Sequence, residues 1–77
     1  MKPRPLYVIA REIKQTWPNV NYAAKPYLEA MSQLDKVSDC YGYDSGTSVV
    51  LYFLSNARSW RGEDAKRIKA ELKAMTS

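Results

Sequence analysis

Apolar positions recur every three or four residues in four separate stretches of the chain. Leu6, Ile9, Ala10, Ile13 and Trp17 share one helix face, with Glu12, Lys14 and Gln15 elsewhere. Pro5 suits the first turn, where no N–H donor is needed, and Pro18 stops the helix because the residue before a proline avoids the α region. A helix is therefore predicted over residues 5–17. Ala23, Tyr27, Leu28, Met31 and Leu34 repeat the spacing and predict a second helix over 24–35. Asn21 is its candidate N-cap. Pro26 fits only in a first turn, so either the helix starts near Ala24 or a short turn leads into a kink.

Val49, Val50, Phe53, Leu54 and Ala57 predict a third helix over 46–57, capped by Asp44 or Ser45. Its β-branched and aromatic residues also fit a strand, but no second strand candidate stands ready to pair with it. Asn56 is expected near its C-terminus, where Asn tolerates a left-handed turn. Ala65, Ile68, Leu72 and Met75 predict a fourth helix over 62–75. Glu63 and Asp64 open it and Lys69 and Lys73 lie near its end, the order that the helix dipole favours. Glu63–Arg67 and Arg67–Glu71 are spaced as i,i+4 ion pairs. With the polar turn between them, helices three and four read as one hairpin. Residues 36–46 hold no sustained period and form an irregular loop. The expected fold is all-α: one small helical domain over 1–77, about four short helices, the irregular loop before the third, and a flexible 1–4.

At 77 residues the core is small, of the size that supplies about 3–5 kcal/mol of net stability. Cys40 is the only cysteine, so no internal disulfide can help, and the absence of His leaves no zinc-ligand set. Helix packing has two Trp, six Tyr and one Phe to work with. Self-association into a homo-oligomer is a second solution. The apolar stretch 6–10 ends at Arg11, short of the roughly 7–15 residues of a signal-peptide core. No run approaches the ~20 apolar residues of a membrane span, so no membrane association is expected. The net charge of +4 is unevenly spread. Residues 1–25 carry five bases and one acid, residues 26–57 one base and four acids, and residues 58–77 six bases and three acids.

The segments AAKPYLEAMSQLD (23–35), YGYDSG (41–46) and LYFLSNARSWRGEDAKRIKAELKA (51–74) are distinctive. Across roughly residues 8–75 the chain resembles a family of short, uncharacterised proteins of tailed bacteriophages. The resemblance implies a phage or prophage origin and a bacterial host cytoplasm. It implies no reaction, and small non-enzymatic phage proteins often act by binding a host protein.

The residues themselves offer little chemistry. Without His the usual general base is missing. Cys40 lies between Asp39 and Tyr41, and a neighbouring carboxylate disfavours the thiolate. Asp35, Asp39 and Asp44 do not match the spacing of a calcium loop, and no glycine-rich phosphate loop occurs. Neither enzyme activity, nor a metal, nor a cofactor is expected. Two binding constellations remain. Tyr41, Tyr43, Arg58, Trp60 and Arg61 are of the types enriched at protein-binding hot spots. Trp60 either docks a partner or folds back over the core. Arg58, Arg61, Lys66, Lys69 and Lys73 form a basic row that either tracks phosphates, with Trp60 stacking on a base, or is simply a solvated helix face. Glu63 and Asp64 argue against a DNA-reading helix, whose first residues must approach the bases. The expected function is a small non-enzymatic interaction protein, a phage accessory protein that binds and modulates a host or phage protein. Nucleic-acid binding by the basic face is the alternative.

Overall fold

The protein was analysed as a computed structural model, which describes residues 4–42 and 44–76. The element order is α1 (Leu6–Thr16), α2 (Lys25–Met31), β1 (Cys40–Tyr41), β2 (Asp44–Ser45), α3 (Gly46–Ser55) and α4 (Glu63–Met75). The fold is mostly helical, as the apolar periodicity predicts. One feature of the loop was not foreseen. β1 and β2 pair antiparallel, with Cys40 opposite Ser45 and Tyr41 opposite Asp44. Two-residue strands are too short to leave any alternation in the sequence.

Each helix end follows from local chemistry. α1 has no side-chain cap at Pro5. Its first free N–H groups, of Leu6 and Tyr7, instead donate to the carbonyls of Asp35 and Leu34, each at 2.9 Å. The chain leaving α2 thus caps α1. At the other end Trp17 takes an extended conformation (φ −125°, ψ 79°) before Pro18. Asn21 opens a turn rather than the helix: its Oδ1 accepts from Ala23 N, and its carbonyl accepts from Ala24 N and Lys25 N. The turn delivers the chain to Lys25 with Pro26 in the first helical turn, so the helix starts near Ala24, the first of the two alternatives. Ser45 caps α3, its Oγ accepting from Ser48 N at 3.1 Å. Asn56 ends α3 with a negative φ of −102°, not a left-handed one, and its Nδ2 donates to the Tyr52 carbonyl.

Gly46 occupies a close approach. A Cβ there would lie 2.8 Å from Val37 Cα and Val37 O. The gap is closed by Gly46 N donating to Asp39 O and Thr47 N donating to Val37 O. Asp39 Oδ2 accepts from the amides of Asp35 and Lys36, so Asp39 serves the loop backbone.

The four apolar faces meet in one core. Leu6, Ile9, Ala10 and Ile13 of α1, Leu28 and Met31 of α2, Val49, Val50 and Phe53 of α3, and Ala65, Ile68 and Leu72 of α4 are all buried. α3 lies mainly against α2, and α4 mainly against α1. The two C-terminal helices therefore take separate partners instead of forming a self-contained hairpin. The expected ion pairs within α4 are redirected for the same reason. Glu71 receives Arg4 Nε at 2.9 Å and Nη2 at 2.6 Å, while Arg67 reaches Glu12 on α1 at 2.7 Å and Asp64 at 3.3 Å. Arg4 also pairs with Glu12 at 2.8 Å. Of the 1–4 segment expected to be flexible, Arg4 is thus tied to two helices, and residues 1–3 lie outside the described residues.

Candidate functional site

The turn between α3 and α4 carries Arg58, Trp60 and Arg61, but not with Trp60 outermost. Trp60 N donates to the Ala57 carbonyl at 3.1 Å, which turns both Ala57 and Trp60 inward and leaves Arg58 and Ser59 at the tip. Trp60 is only 4% exposed. Its ring stacks on Trp17 at 5.3 Å and 6°, and meets Phe53 edge-on at 6.4 Å. Trp60 is therefore a core residue, which corrects both its assignment as the docking anchor and its assignment as a base-stacking platform. The physical reason is size: a core built by four short helices leaves a gap at the Trp17 end, and a second indole fills it.

Around this buried ring lies the basic row. Gly62 begins α4 with φ +112° and ψ 179°, a region that side-chain-bearing residues avoid. Lys69, two turns into α4, reaches back. Its Nζ donates to the Trp60 carbonyl at 2.6 Å and stands 5.9 Å from the ring centre. Partial burial holds the Lys69 pKa below the ordinary lysine value, and the positive charges of Lys73 and Arg61 push it the same way. Arg58, Arg61, Lys66 and Lys73 are exposed. Arg61, Glu63, Lys66 and Lys69 line a shallow depression of about 510 Å³ whose floor includes Trp60.

The aromatic candidates are dispersed. Tyr41 is 42% exposed on the β1–β2 hairpin, and Tyr43 lies outside the described residues. A different apolar surface appears on the far side of α3. Leu51 is 49% and Tyr52 51% exposed. Tyr52 stacks on half-buried Tyr27 of α2, with ring centres 5.4 Å apart and planes at 28°. Neither Leu51 nor Tyr52 belongs to the apolar spacing that predicts α3, and Tyr27 belongs to the one that predicts α2. The signal was available: α3 is apolar on more than one face, a pattern expected of a helix covered all round. Here only the face bearing Val49, Val50 and Phe53 is covered.

Catalytic features do not assemble among the described residues. No charged side chain is buried, and no three acids or cysteines gather as a metal site. Cys40 is exposed. No described helix is long and apolar enough to cross a membrane. No family model, curated protein or solved structure matches the chain.

Proposed function

We propose that the protein is a non-enzymatic interaction module, a phage accessory protein that binds and modulates a protein of the phage or its bacterial host, in the host cytoplasm. The phage and host assignments rest on the sequence resemblance over 23–35, 41–46 and 51–74. The binding assignment rests on one structural observation: α3 presents Leu51 and Tyr52 outward beside the Tyr27–Tyr52 stack, although a core this small has every use for such side chains. Large apolar and aromatic groups left exposed side by side on one helix, and continued by half-buried Tyr27 of the next, support an interaction surface.

The occupant is a protein segment with apolar anchors and net positive charge. Residues 26–57 carry four acids against one base; Glu29 is paired with Lys14, so the acids that favour a basic partner are Asp35, Asp39 and Asp44 of the connection between α2 and α3. A second copy of the chain is the competing occupant. Sedimentation in dilute solution separates the two, because self-pairing through this face gives a mass above 8.8 kDa. The reading predicts a monomer, and capture of a basic host or phage protein that the Leu51→Ser/Tyr52→Ser double variant no longer retains. A dimer that this double variant dissolves contradicts it.

A further inference from the structure

Some of the molecule's cations are engaged in ion pairs and others are not. Arg4 and Arg67 are consumed at the α1–α4 seam by Glu12, Glu71 and Asp64. Lys14 reaches Glu29 at 3.2 Å. At the Trp60 turn the arrangement is opposite. The side chains of Arg61 and Lys66 make no ion pair or hydrogen bond among the described residues, and both line the same depression. Lys69 beside them is committed to an uncharged acceptor, the Trp60 carbonyl, so its positive charge is retained. Glu63 is the single acid lining the depression, against three bases. Arg11, Lys25 and Lys36 also stand outside the ion pairs of the described residues; what marks this end is that three cations line one depression.

We infer that the depression formed by Arg61, Lys66 and Lys69 at the start of α4 is a binding site for the phosphate backbone of a polynucleotide. The site is independent of the apolar α2–α3 face. Its shape favours a chain of phosphates over one enclosed anion, because the depression is shallow and open. A lipid surface fits less well. The apolar face of α4 is buried through Ala65, Ile68 and Leu72, leaving nothing at this end to insert among acyl chains. Recognition is confined to the backbone. Glu63 in the first turn of α4 keeps that end away from the grooves, and buried Trp60 offers no face to a base. Phosphates arriving here also relieve the repulsion that Lys73 and Arg61 exert on Lys69.

The test is fluorescence anisotropy with labelled thirty-nucleotide poly-dT and a mixed-sequence duplex of equal length, at 20–200 mM NaCl. Three phosphate contacts predict a log–log salt slope of about −2 for the single strand, which is a loss of roughly twenty-fold between 50 and 200 mM. The Arg61→Ala/Lys66→Ala variant, altered only at exposed side chains, is expected to weaken binding at least ten-fold and bring the slope to about −0.7. The Lys25→Ala/Lys36→Ala variant removes the same charge elsewhere and is expected to bind within two-fold of the wild type. Mixed and homopolymeric sequences should bind alike. No wild-type binding at 20 mM salt overturns the inference, as does an equal loss in both double variants. Equal competition by poly-glutamate or by anionic lipid vesicles overturns it too.

Discussion

Trp17 and Trp60 lie ring on ring, 5.3 Å apart and within 6° of parallel. One follows α1 and the other precedes α4, so the stack fastens together the ends of two helices far apart in sequence. Phe53 of α3 meets both indoles edge-on, at 6.2 and 6.4 Å. Three helices thus converge on one aromatic cluster, which gives the residues flanking Trp60 fixed positions on the surface above it.

Truncating Trp60 should remove the fold rather than a binding site. A buried Trp→Ala change costs about 3–5 kcal/mol, as much as a core of this size supplies in total. The Trp60→Ala variant is expected to show no cooperative urea transition by circular dichroism at 25 °C, whereas Trp60→Phe keeps one at a lower midpoint. A Trp60→Ala transition close to that of the wild type would contradict the core assignment.

How much of this was legible beforehand differs between fold and site. The stripes at Leu6, Ile9, Ile13 and at Ala65, Ile68, Leu72 mark the core faces of α1 and α4 because helical periodicity is a local property. Trp60 sits in an aperiodic turn, where nothing local distinguishes an inward ring from an outward one. Its place is decided by Trp17, forty-three positions away. Arg67 shows the same limit. Its i,i+4 neighbours invite pairing along α4, yet α1 brings Glu12 closer. The exposed face of α3 was hidden by the opposite ambiguity, since Leu51 and Tyr52 sit among residues that look like core on every side.

Gly46 offers a test of the loop packing. A Cβ would meet the Val37 backbone at 2.8 Å, and backbone gives way less readily than a side-chain tip. Gly46→Ala is expected to destabilise by about 1–3 kcal/mol, the range for overpacking, despite the better helix propensity of Ala. Thermal unfolding measures it, and an unchanged or raised Tm would show that the loop does not approach α3 so closely.

Glu12 makes the stability of the α1–α4 seam sensitive to acid. Hydrogen bonds first from Arg67 and then from Arg4 hold its carboxyl below the ordinary carboxylate range. The unfolded chain therefore binds the proton more readily, and the seam's contribution is fully present above the unfolded value of about 4.3 and lost as pH falls through the folded one. Stability of the wild type should exceed that of Glu12→Gln near pH 7, by a small margin given the partial exposure of all three partners. The gap should narrow as pH falls below about 4.3. Urea midpoints across pH 2–8 read this directly, and a gap that does not narrow over this range would place the effect elsewhere.

Ser45 is expected to matter modestly. Its hydroxyl satisfies Ser48 N at the start of α3, and replacing such a cap by Ala costs about 1 kcal/mol. A Ser45→Ala midpoint equal to that of the wild type would show that the β1–β2 hairpin alone holds the helix start.

The claim that function lies on the outer face of α3 is tested most directly by a binding isotherm. A partner captured by the wild-type protein is titrated calorimetrically against the wild type, Leu51→Ser/Tyr52→Ser and Arg61→Ala/Lys66→Ala. Loss of two hot-spot side chains predicts at least a ten-fold weaker Kd for the first double variant, still folded but with a Tm lowered by loss of the Tyr27–Tyr52 stack, with the second within two-fold of the wild type. Equal affinity of the wild type and Leu51→Ser/Tyr52→Ser would contradict the account.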